Sequence, residues 1–185
     1  MRLLVWVVLA ILVPVWPALA GKSGGPSTGV PAMSVDEAYR AVPVERVPFE
    51  PYRTVMPIEE ADFMRDFFAL VDEAIVEKVT AQIRLARGEQ PRMHYDVLLA
   101  KFEALTVPAK LQGVYDLVVS AVREQEASLR DWQTRRTNFD ARDPRVSSSH
   151  QKLLKAYYEL LGLYPNEFQH NRQSFYSHLC ALDFI

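Results

Sequence analysis

The twelve prolines of this 185-residue chain fall where they leave room for helices and little else. A proline inside a helix removes a backbone donor and clashes with the preceding turn, so each one marks a boundary. After Pro57 only Pro91, Pro108, Pro144 and Pro165 interrupt the chain, and the stretches between them carry apolar residues at three- and four-residue steps. Met64, Phe67, Phe68, Val71, Ile75, Val79 and Ile83 make one such face, closed by Arg84, Arg87 and Gly88 as a cationic last turn with a glycine terminator. Pro91 precedes Leu98, Leu99, Phe102 and Leu105, and Pro108, with Thr106 as cap, precedes a longer run from Leu111 through Val114, Val118, Val122 and Leu129 to Trp132. Asp143 caps and Pro144 opens a helix with Val146, Leu153, Leu154, Tyr157, Leu160 and Leu161 inward. A last helix from Asn166 to near Leu182 carries Phe168, Phe175, Leu179 and Leu182. The expected fold is all-α, a helical bundle of about four to five helices over residues 58–185.

Upstream the prolines crowd together. Positions 43, 48, 51 and 57 forbid a long helix, while Val42, Val44, Val47, Phe49, Tyr52 and Val55 supply apolar anchors. This predicts an extended proline-rich N-terminal strap lying in a groove of the helical body, with insertion into a partner protein as the alternative. Ser34 and Glu37 have capping-box spacing, so residues 34–57 read as a short helix from Val35 to Arg40 followed by the strap. Residues 21–33 hold four of the seven glycines and no apolar periodicity, which is the pattern of a flexible leader.

Residues 1–20 read as a cleavable signal peptide. Arg2 is followed by an apolar run from Leu3 to Leu19, and Ala18-Leu19-Ala20 before Gly21 offers a small-residue cleavage site. The run is short for a membrane helix and is broken by Pro14 and Pro17; an uncleaved anchor flanked by Trp6 and Trp16 is the alternative. Export to the periplasm or the extracellular space is the resulting expectation, with no membrane span after signal cleavage. The lone cysteine, Cys180, excludes a disulfide framework and lies far from the signal, where a lipid-bearing cysteine would have to stand. It reads as a small buried hydrophobe, or else as one half of an intermolecular disulfide.

With 21 basic and 23 acidic residues interspersed, the formal charge is −2 and no basic stripe is present, so no nucleic-acid partner is expected. Catalytic motifs are absent: Ser147-Ser148-Ser149-His150 is a serine cluster at a helix start. His150 and His178 continue apolar faces, where buried imidazoles need hydrogen-bond partners. Glu167 and His170 have the spacing of half a dinuclear metal site, without a second Glu-x-x-His to complete it. Haem held by Met64 with His170 or His178 is the remaining cofactor alternative, without Cys-x-x-Cys-His for covalent attachment. No cofactor is therefore the expectation. The C-terminal third concentrates aromatic and polar side chains, including Tyr158, Tyr164 and Tyr176. Within it Tyr157, Phe168, His170, Asn171, Arg172, Phe175 and His178 are the candidate ligand-binding residues of a groove between the last two helices. Such a chain is expected to be a non-catalytic binding or assembly protein of the cell envelope, its partner an envelope protein or a small ligand. A haem- or metal-binding bundle and an envelope chaperone or adaptor are the alternatives. The apolar end, Phe184 and Ile185, is expected to tuck against the bundle.

Overall fold

The computed structural model describes residues 33–135 and 140–184, so the expected signal peptide and all of the leader but Met33 lie outside the described residues. Six α-helices and no strand occur among the described residues: α1 (Val35–Ala41), α2 (Ile58–Ala86), α3 (Tyr95–Glu103), α4 (Gln112–Arg135), α5 (Pro144–Leu163) and α6 (Gln169–Asp183). A single 3-10 turn, Ala109–Leu111, leads into α4. The domain is all-α; five of these helices lie within residues 58–185, and α1 is the short helix upstream of them.

Local chemistry sets most of the boundaries. Ser34 and Glu37 form the reciprocal capping box that starts α1. At the far end of α2, Gly88 adopts a φ of 76°, a left-handed conformation that ends the helix and that side chains with a Cβ rarely take. Asp143 accepts from the backbone of Arg145 and starts α5 with Pro144 in its first turn. Arg145 also reaches Asp131 at 2.5 Å, which closes the α4–α5 turn from the α4 side. The helix expected directly after Pro91 begins only at Tyr95. Residues 91–94 are irregular; the carbonyl of Pro91 accepts from Gln133 and the His94 amide donates to Glu77.

The core is built on α2, which packs against α1, α3, α4 and α6, while α4 and α5 make the broadest helix pair. Phe63, Phe67 and Phe68 are buried on α2, and Phe67 meets Phe102 of α3 edge-on at 5.9 Å between centroids. Two expected burials fail. His150 is an exposed residue of α5, because Ser149, Leu153, Ala156 and Leu160 take the inward positions and a single step turns a side chain by about 100° around a helix. Phe184 is also exposed: Leu182 fills the last inward position of α6, and the chain leaves the helix at Phe184 in an extended conformation. Ile185 lies outside the described residues.

One charge sits where only apolar groups would be expected. Lys78 on α2 is 1% exposed, and its ammonium and the amide of Gln125 both donate to the Leu182 carbonyl in the last turn of α6. That carbonyl belongs to the negative end of the helix dipole, which suits a cation. Burial nevertheless lowers the Lys78 pKa from 10.5 to about 7, with the Asp183 carboxylate acting in the opposite direction. Between these values the unfolded chain binds more protons than the folded one, so stability rises with pH from 7 towards 10. We expect a slope on the order of 1 kcal/mol per pH unit at pH 8 in urea unfolding of the full chain. Lys78→Met, which leaves Gln125 on the same carbonyl, should flatten that slope; a variant that keeps the wild-type slope would assign it to other groups.

Candidate functional site

The C-terminal helix has two dissimilar faces, and they do different things. Glu167, Asn171, Ser174 and His178 follow at four-, three- and four-residue steps, and all four are buried although all four are polar. Buried polar groups need partners: Ser174 and His178 find them in each other and in Asp72, and Glu167 and Asn171 find them in the proline-rich residues 50–55. The side-chain amide of Asn171 accepts from the Glu50 amide at 3.0 Å and donates to the carbonyls of Glu50 and Arg53, much as a neighbouring strand would. Ser177 accepts from the Val47 amide and donates to the Glu45 carbonyl at 2.7 Å. Glu167 accepts from the Thr54 hydroxyl at 2.5 Å and from the Val55 amide, and the His170 ring pairs with the Pro48 carbonyl at 2.9 Å. Prolines cannot join a sheet ladder, so side chains of α6 satisfy the backbone that the prolines leave without regular structure.

Beneath this layer lies a buried ionic cluster. Asp72 of α2 accepts from the Tyr39 hydroxyl of α1 at 2.9 Å and from the Arg46 guanidinium at 2.7 Å. His178 is 2% exposed, stacks on Phe68 with 4.3 Å between centroids, and places Nε2 3.5 Å from the same carboxylate. Burial lowers the pKa of the imidazole, against the opposing pull of Asp72 and the Ser174 carbonyl. The order Ser174, His178, Asp72 imitates a nucleophile, base and orienting acid. The imitation fails at one atom: Nδ1 lies 2.8 Å from the Ser174 carbonyl and 3.3 Å from its hydroxyl. Facing a carbonyl, Nδ1 carries the proton as a donor and cannot take one from the serine. The cluster joins α1 and the proline-rich segment to α2 and α6, which is structural work.

Another side of α6, carrying the exposed Tyr176 and the half-buried Cys180 and Asp183, is open to solvent. With α5 it forms a groove of about 260 Å³, floored by Leu153, Leu154 and Leu179 and walled by Tyr157, Tyr158 and Tyr176. Tyr157 meets Tyr158 at 5.5 Å and Tyr176 at 5.9 Å between centroids, the latter edge-on. Tyr158 is 61% exposed, Tyr176 51% and Leu154 44%. Cys180 and the pair His150 Nδ1 to Asp183 Oδ2, at 2.6 Å, finish one end.

The seven residues singled out in the sequence are thus distributed over four environments. Tyr157 lines the groove; His170 and Asn171 hold the proline-rich segment; Phe175 and His178 are core. Phe168 stands exposed at the start of α6, beside Arg172, which reaches back to the Pro165 carbonyl. Asp72 escaped the sequence reading, although a carboxylate interrupting the face Phe68, Val71, Ile75 was the available signal. Metal and haem fit poorly. Among the described residues no three His, Cys, Asp or Glu side chains converge as a metal ion requires. Met64 is fully buried in the apolar core, and both ring nitrogens of His178 already face protein oxygens.

Asn171→Ala should lower stability by about 1–3 kcal/mol, because it strands the Glu50 amide and two carbonyls. It should also speed tryptic cleavage after Arg46 and Arg53, read by mass spectrometry. Arg172→Ala, one position along the same helix, should change stability by less than about 0.5 kcal/mol. Equal behaviour of the two variants would remove Asn171 from this role.

No protein-family model, curated protein or solved structure matches this chain, so its function has to be read from these side chains.

Proposed function

We propose that this chain is an exported, non-catalytic binding protein of the cell envelope that uses the α5–α6 groove to hold a small ligand with an apolar body. In this reading the proline-rich residues 43–57 are a strap that packs in cis and completes the bundle, leaving the opposite face of α6 free for a partner. The apolar run from Leu3 to Leu19 before Ala18-Leu19-Ala20 supports export.

The observation that carries the binding role is the exposure of Leu154, Tyr158 and Tyr176 around one concave surface. Single exposed apolar residues are ordinary, but a contiguous aromatic groove with a polar end has the make-up of a ligand site. Two further points favour it over catalysis. His178 Nδ1 lies closer to the Ser174 carbonyl than to its hydroxyl, which suits a donor better than a base, and the backbone of residues 47–55 meets the polar side of α6.

Expression with residues 1–20 intact should yield an exported product whose amino terminus is Gly21, identified by intact mass; a retained first segment would replace the signal by an anchor. The neutral apolar dye N-phenyl-1-naphthylamine should bind the mature protein with micromolar affinity and enhanced fluorescence. The variant Leu154→Gln/Tyr158→Ser, altered only at exposed positions, should weaken that binding about tenfold while unfolding like the wild type. Dye binding that is absent, or equal in the variant, would take the groove out of the function.

A further inference from the structure

The groove's three tyrosines differ from Tyr39 and Tyr164 in what lies over their rings. Arg46 stands 5.9 Å from the centroid of Tyr39, and Lys110 stands 3.9 Å from that of Tyr164. Among the described residues, no cationic side chain covers Tyr157, Tyr158 or Tyr176. Their rings meet at interplanar angles of 51° and 70°, so they form a corner instead of a flat stack. Tyrosine rings set at an angle along one groove can offer π density to a cation that lies among them.

The groove wall also holds a carboxylate, Asp183, paired with His150. The groups that can carry charge on its wall are Asp183, His150 and Cys180. His150 uses Nδ1 on Asp183 Oδ2, and the other carboxylate oxygen has no hydrogen bond among the described residues. The nearby cations of α5 are engaged elsewhere: Lys155 pairs with Glu159, and Lys152 pairs with Glu124 on α4. Behind the wall Lys78 acts on Asp183 from the interior, but its ammonium is fully buried. A primary ammonium would want hydrogen-bond acceptors, of which this mostly leucine and tyrosine surface offers few. A quaternary ammonium needs none, since its methyl groups are apolar and its charge is diffuse.

We propose that the α5–α6 groove binds an organic quaternary ammonium of the choline type, with the methylated cation against Tyr157, Tyr158 and Tyr176 and Asp183 as the accompanying anion. The proposal rests on the reading of this groove as the ligand site and adds the charge and shape of the ligand's head. Leu154 and Leu179 take whatever alkyl portion the ligand carries. Free choline and a choline-bearing lipid headgroup share this chemistry.

Choline and its neutral isostere 3,3-dimethylbutan-1-ol differ in charge at nearly constant shape, which makes them the deciding pair. Titrations of each into the isotopically labelled mature protein are followed by amide shifts of α5 and α6. Choline should bind at least about tenfold more tightly than the alcohol. Tyr176→Leu, which keeps the wall apolar, and separately Tyr158→Leu, should each cut choline affinity severalfold and leave the alcohol's unchanged. Phosphocholine vesicles, compared with vesicles of phosphoglycerol headgroups, distinguish the two sources: selective co-sedimentation with the former assigns the headgroup, and binding of choline without it assigns the free cation. Equal binding of choline and the alcohol would overturn the cation while keeping an apolar ligand site. Groove amides that respond to neither compound, in a protein that still binds the naphthylamine dye, would overturn the cation alone; failure of the dye as well would overturn the ligand site with it.

Discussion

Everything on one side of this bundle depends on the carboxylate of Asp72. It is almost out of water, and it is tolerable there only because a guanidinium and a phenol both donate to it. Those donors come from Arg46 and Tyr39, so the charge on α2 dictates where α1 and the proline-rich segment must lie. With the segment in place, its backbone donors and acceptors face α6. Asn171, Ser177 and Glu167 then become necessary, and the polar stripe of α6 turns inward. Removing one donor from such a cluster exposes the others to an unpaired charge, which explains why a polar arrangement can hold three elements as firmly as an apolar one.

The helical frame was legible in the sequence because its signals are local. Pro144 beside Asp143, the Ser34–Glu37 box and Gly88 after a cationic turn each act within a few residues of the boundary that they set. The site was less legible, since the environment of α6 is decided more than a hundred residues away. In sequence, Asn171 and His170 look like candidate ligand contacts, and a ligand of sorts is what they have: the chain's own backbone at Glu50, Arg53 and Pro48. His150 illustrates a different limit. The periodicity around Leu153 and Tyr157 is genuine, but an apolar face cannot say on which side of its edge a neighbouring residue falls.

Lys78 and Gln125 add a second polar centre at the other end of α6. Both donors converge on the Leu182 carbonyl, so the last turn of the helix is fixed to α2 and α4 from inside. Asp183 follows directly and points to the groove, where His150 meets it. Asp183, a carboxylate of the groove wall, thus directly follows the carbonyl that Lys78 holds, and it attracts that same buried amine.

An ordinary surface helix buries its apolar stripe and shows its polar one. In α6 the assignment is partly reversed: Asn171, Ser174, Ser177 and His178 are inside, while Tyr176 is half in water and Cys180 is partly exposed. Leaving Tyr176 and its α5 neighbours Leu154 and Tyr158 accessible forgoes burial that is worth about 1.5–3 kcal/mol for each large apolar side chain. Stability alone would favour the conventional arrangement, in which those rings face the core and the polar groups face solvent. Residues 45–55 supply partners to the polar side, while Phe175, Leu179 and Leu182 still fill the core and Tyr176 is the large apolar side chain of α6 left in water. The exposure of Tyr176 beside Leu154 and Tyr158 is what supports our proposal of a binding role for the groove.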